Sequence, residues 1–156
     1  MRAPVFAAIV TLALGACGGS KTGEGVPDAG YDCATDTRGE TFSAGMSKAG
    51  TQGLMTFKLM SSTPAPPARG DNTWELDIVD STGAPVAGAT VTVVPFMPDH
   101  NHGTSIKAQV TETSPGHYEA TPVNLWMVGF WQITVEAKPA GSGAPDAVPF
   151  NFCIPG

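Results

Sequence analysis

From residue 54 onward, apolar and polar positions alternate in short runs separated by turn residues. In residues 54–60, Met55, Phe57 and Leu59 fall on one face, the period of two that marks a half-buried strand. Trp74, Leu76 and Ile78 alternate with Glu75 and Asp77, after which Ser81, Thr82 and Gly83 turn the chain. Residues 89–96 form a β-branched run. Ile106, Ala108 and Val110 alternate with polar neighbours, and Ser114, Pro115 and Gly116 lead into a further segment at 117–120. Trp131, Ile133, Val135 and Ala137 share one face of the next run, and Val148, Phe150 and Phe152 share one face of the last. No stretch carries the 3.6-residue apolar period of an amphipathic helix. Seven short strands with regular turn punctuation predict an all-β chain, an immunoglobulin-like antiparallel β-sandwich over 54–156, with an open barrel as the alternative.

The first 53 residues read differently. After Arg2 comes an apolar run over 5–14, of signal-peptide length and too short to span a bilayer as a helix. It closes on Leu14-Gly15-Ala16-Cys17, which resembles a bacterial lipobox. The resemblance implies cleavage after residue 16 and attachment of lipid to the Cys17 thiol; an ordinary signal peptide with a chance cysteine is the alternative. Residues 18–32 are rich in Gly and polar side chains and predict a disordered tether, with a root-mean-square span of roughly 20 Å for such a coil. Residues 34–53 remain Gly-rich and polar, and 17–53 as a whole reads as lipidated tether and irregular chain.

Composition narrows the partners. The chain has 8 basic and 14 acidic residues, a net charge of −6, and loss of Arg2 with the signal segment makes the mature form one unit more negative. With no basic cluster, nucleic acid is not an expected partner. Gly (19) and Pro (14) are abundant while only 14% of residues are charged, which agrees with short strands and turns. If Cys17 carries lipid, Cys33 and Cys153 are left as an even pair in an oxidising compartment. They predict a disulfide from the start of the folded region to its end; two free thiols acting as soft metal ligands is the other reading.

One segment suggests chemistry: Met97-Pro98-Asp99-His100-Asn101-His102-Gly103. Residues two apart on an extended backbone point the same way, so His100 and His102 can converge. Imidazole suits Cu, Zn, Ni and Fe, and the Met97 thioether narrows the set toward Cu(I). Asp99 is the expected acceptor for a ligand histidine's second ring nitrogen. The bland reading is a polar hairpin loop with solvated histidines. Met46, Met55 and Met60 form a weaker soft group, of which Met55 reads as core. His117 reads as exposed, and Trp74, Trp126 and Trp131 as core or loop aromatics. Nucleophile elbows, zinc-protease motifs and phosphate loops are missing from the sequence, so an enzyme is not expected.

From Trp74 to Lys138 the chain resembles the YtkA-like/FixH-like family of extracytoplasmic β-sandwich domains. The resemblance is carried by Gly83-Ala84-Pro85-Val86, then Met97-Pro98-Asp99-His100-Asn101-His102-Gly103, then Pro115-Gly116-His117-Tyr118, then Met127-Val128-Gly129-Phe130-Trp131. It implies a copper-handling module, with Met127 as a second thioether beside Met97, His100 and His102. Where the family commonly has Met-Pro-Gly this chain has Met127-Val128-Gly129, which leaves the reach of Met127 toward the histidines open. The expected function is a membrane-tethered module that holds Cu(I) or delivers it to a copper-accepting membrane protein. The alternative is a metal-free interaction domain of the cell envelope, since Gly83 to Val91 also resembles Ig-like spacer and adhesion units.

Overall fold

The computed structural model describes residues 31–141 and 143–156. The expected signal segment 1–16, the expected lipidation site Cys17 and the expected tether as far as residue 30 lie outside them. Nine strands are present among the described residues: β1 (Met46–Ala49), β2 (Met55–Thr63), β3 (Gly70–Asp80), β4 (Thr90–Met97), β5 (His102–Gly103), β6 (Gln109–Ser114), β7 (His117–Leu125), β8 (Gly129–Lys138) and β9 (Asp146–Ile154). They form two sheets, ordered β1-β2-β3-β7-β6 and β5-β4-β8-β9. Every ladder is antiparallel. The molecule is an all-β sandwich, as the alternating pattern requires.

The inner faces are the predicted ones. Met55, Phe57 and Leu59 on β2, Trp74, Leu76 and Ile78 on β3, and Trp131, Ile133, Val135 and Ala137 on β8 are all buried, as are Val148, Phe150 and Phe152 on β9. The Trp74 ring meets Phe150 and Phe152 edge-on, with centroids 6.1 and 5.9 Å away, a favoured aromatic geometry that ties the two sheets together. On β4, Val91, Val93 and Met97 point inward while Val94 and Phe96 remain exposed. The β-branched run is therefore a half-buried strand.

Three sequence expectations need correction. The stretch read as irregular contains β1, whose Met46 pairs opposite Leu59 and packs on the core beside Phe42. The strand expected from Ile106 begins only at Gln109; Ile106 is exposed, and its N–H donates to Thr104 Oγ1 at 3.1 Å instead of joining a ladder. The methionines do not form one patch: Met55 is core, Met46 lies at the core edge, and Met60 is half-buried at the bulge between Leu59 and Ser61.

The segment preceding β1 lies along β9. Cys33 and Cys153 are disulfide-bonded across 120 residues. Glu40 N–H donates to the Asn151 carbonyl at 2.7 Å, and Glu40 Oε2 accepts from Asn151 N–H at 2.7 Å. These contacts cover the outer edge of β9, which would otherwise offer unpaired backbone groups. At the other end of β9, the buried Asp146 carboxylate accepts from the amides of Gln52, Leu54, Met55 and Ala147 at 2.8–3.0 Å. It fastens the β1–β2 turn of one sheet to the last strand of the other.

Candidate metal centre

β4 runs inward-outward to Met97 and reverses through a tight turn. His100 N–H donates to the Met97 carbonyl and Asn101 N–H to that of Pro98, at 3.2 and 3.3 Å. Asn101 takes φ +53°, a left-handed conformation that asparagine tolerates better than most side chains. The chain then returns as β5, so the predicted loop is a hairpin and His102 is a strand residue. Register places Met97 opposite His102, and residues directly opposite on antiparallel strands share a face.

The four proposed ligands are placed as follows. The rings of His100 and His102 lie together, centroids 5.6 Å apart and tilted by 47°. His100 is exposed and His102 half-buried. Met97 has no exposure at all and sits on the same face as His102, at the sandwich end. Its methyl carbon lies against Gly129: a Cβ there would come within 2.9 Å of it and 3.5 Å of the Tyr31 ring. Gly129 also has φ +122°, a conformation that side chains resist. The glycine of the Met-x-Gly element thus makes room for Met97. Met127 is half-buried against the core, and its carbonyl accepts from Trp131 Nε1 at 3.0 Å.

The tautomer of His102 follows from one contact. Its Nδ1 lies 3.0 Å from the carbonyl oxygen of Gly103. A carbonyl only accepts, so Nδ1 is the donor in this contact, and in the neutral ring Nε2 then carries the lone pair. The expected orienting role of Asp99 is therefore taken by backbone. Asp99 points the other way, with Oδ1 and Oδ2 each accepting from Arg38 at 2.7 Å. Arg38 also binds Asp36 through Nε and Nη2 and lies 4.2 Å over the Phe130 ring, while the Tyr31 hydroxyl donates to Asp36 Oδ2 at 2.7 Å. Hydrogen bonds from Arg38 hold the carboxyls of both Asp99 and Asp36 below the ordinary carboxylate range. The disulfide-bonded N-terminal segment thereby clasps the histidine hairpin through Asp99.

Two other features are settled by the geometry. His117, expected to be exposed, is half-buried and hydrogen-bonds through Nδ1 to Asp77 across β3 and β7. Among the described residues no three His, Cys, Asp or Glu side chains converge as a metal-binding group. The hairpin brings the two imidazoles together, and Met97 is paired opposite His102 in its register.

Trp126, which the sequence marks as a core or loop aromatic, lies in the loop between β7 and β8. Its ring stacks on His102, with centroids 5.6 Å apart and planes within 26°. The signal was present in Leu125, Trp126, Met127 and Val128, four consecutive apolar residues. They carry the chain from the end of β7 to the start of β8, where a turn leaves part of the run uncovered; Leu125 and Val128 are buried and Trp126 is exposed.

A family model described as YtkA-like matches residues 51–136. The chain belongs to the YtkA-like family. The match spans β2 to most of β8 and includes Met97, His100, His102, Trp126 and Met127. Both disulfide cysteines and the Arg38 clasp fall outside the YtkA-like region. No curated protein matches the chain. Among solved structures, the chain is similar to "as isolated" FetP of uropathogenic E. coli strain F11, expressed recombinantly in the periplasm of E. coli, at 16% identity over 73% of this chain and 96% of that one, with a TM-score of 0.45. It is also similar to a copper-bound single-substitution variant of FetP, at 15% identity over 74% and 89%, with a TM-score of 0.41. Likeness at that level carries no argument about what this YtkA-like chain binds.

Proposed function

We propose that this chain is a membrane-tethered, extracytoplasmic module that holds or delivers copper as Cu(I), with His100 and His102 as imidazole ligands and Met97 and Met127 as thioether ligands. The observation that carries the reading is the imidazole pair, 5.6 Å between ring centroids, with the His102 Nδ1 proton committed to the Gly103 carbonyl and Nε2 left as the free donor. Met97 is paired directly opposite His102, which puts a residue bearing a thioether on the same face of the hairpin. Imidazole and thioether together favour Cu(I) over cations that want oxygen ligands. In this reading copper is cargo.

The disulfide between Cys33 and Cys153 supports an oxidising compartment, and the lipobox-like Cys17 supports a lipid tether to a membrane. A copper-accepting membrane protein is the partner that such an address suits. Imidazole binds metal only when unprotonated, so the module should release copper more readily in mild acid. A second reading, a metal-free interaction domain, draws on the exposed Val94 and Phe96, which project from the outer face of β4. Element-resolved metal analysis of protein purified natively from the envelope separates the two. Copper near one equivalent supports the first reading; metal-free protein from copper-replete cells supports the second.

A further inference from the structure

We infer that Trp126 is the wall of the copper site and sets its preference for a soft monovalent ion, an inference that rests on the copper reading above. Trp74 and Trp131 are fully buried, whereas Trp126 is 47% exposed. Leaving so large an apolar ring in water forgoes much of the gain that burial would give. Its placement is nevertheless fixed. Leu125 on one side is fully buried and Val128 on the other nearly so, and the Trp126 carbonyl accepts from Arg69 Nε at 3.0 Å. What the indole touches is the candidate ligand: it stacks on His102 with planes within 26°.

His100 and Trp126 each pack on His102, with ring centroids 5.6 Å away in both cases. The Nε2 lone pair of His102 lies in the imidazole plane, and the indole plane is nearly parallel to it. A cation on Nε2 would lie beside an offset indole face, a wall of π-electrons without a donor atom. A π-face attracts a cation electrostatically, most strongly when the cation is poorly hydrated. Cu(I) and Ag(I) suit such a setting with few ligands. Zn(II) takes four donors of nitrogen, sulfur or oxygen type, and the indole supplies none.

The test compares the wild-type chain with Trp126→Ala, Trp126→Phe and a His100→Ala/His102→Ala variant, all folded with the disulfide formed. Cu(I) and Ag(I) affinities are read by competition with a chelator, Zn(II) affinity by direct titration, and tryptophan emission throughout. Trp126→Ala is expected to weaken Cu(I) and Ag(I) binding about tenfold with little change for Zn(II). Trp126→Phe should fall between and guard against loop disturbance in the alanine variant. Ag(I) should quench the long-wavelength emission of the wild type and leave that of Trp126→Phe unquenched. Unchanged Cu(I) affinity in both Trp126 variants, or equal quenching without Trp126, overturns the inference while leaving the copper reading standing. A wild type that does not bind Cu(I), or a histidine variant that binds it as well as wild type, overturns the copper reading and the inference with it.

Discussion

Replacing Asp146 by alanine should unfold the sandwich at markedly lower denaturant than any surface change would. The carboxylate is 2% exposed and accepts four backbone N–H groups, two on each oxygen. Gln52 and Leu54 are exposed, so water can replace part of what their amides lose. Met55 is buried, and its amide would be left without an acceptor. At about 1–3 kcal/mol for each buried polar group so orphaned, the loss is about 2–4 kcal/mol. Asp146→Asn should cost nearly as much, because one amide pair would then face an NH2 group. Gly50→Ala should strain the same place, since a Cβ there would lie 2.2 Å from the carboxylate. Burial alone would push the Asp146 pKa up, but the amides of Gln52, Leu54, Met55 and Ala147 outweigh it and hold the group below its ordinary value. A lowered carboxylate pKa stabilises fully above the unfolded value of about 3.9, and the gain disappears as pH falls through the lower folded value. The assay is urea unfolding from pH 7 down to about 3, with midpoint and slope fitted separately. The stability gap between wild type and Asp146→Ala should hold steady from pH 7 to about 5 and shrink below about 4. A gap under about 0.5 kcal/mol at pH 7 would refute the assignment of Asp146 as the fastening between the sheets.

Two further outcomes concern the N-terminal segment. The Cys33→Ser/Cys153→Ser variant should lose up to about 4–5 kcal/mol in the same urea assay, the chain-entropy value for so long a loop; a loss under about 1 kcal/mol would mean that the cross-link constrains little. Arg38→Ala removes both hydrogen bonds to Asp99, so amide exchange over residues 99–103 should quicken and Cu(I) affinity should fall about tenfold, the low end for a partner that orients a ligand-bearing segment. Exchange and affinity both equal to wild type would show that the clasp does not position the hairpin.

The strand pattern was legible where alternation ran for six residues or more, as on β3, β8 and β9, because burial of one face imposes a period of two. β1 and β5 escaped it. Four residues, Met46–Ala49, and two residues, His102–Gly103, are too short to show a period, and both are strands because a longer neighbour pairs with them. Ile106 misled for the opposite reason: its alternation with polar residues is real, but its N–H is already taken by Thr104. At the site, His100 and His102 were legible from spacing alone, since local geometry brings them together. The Cys33–Cys153 pairing was legible by count. The Arg38–Asp99 pair, 61 residues apart, and the Trp126–His102 stack arise from the packing of β7, β8 and the N-terminal segment around the hairpin, and no local pattern announces them. Spacing alone points Asp99 toward a histidine, but Arg38 takes its carboxylate and the Gly103 carbonyl fills that role for His102.

The most direct test of the account is a Cu(I) titration of the metal-free, disulfide-bonded protein against a competing chelator, beside the His100→Ala/His102→Ala variant. The account predicts one Cu(I) bound by the wild type and affinity lost by at least about a hundredfold in the variant, since two imidazole ligands are gone. Equal affinity in the two proteins would contradict it.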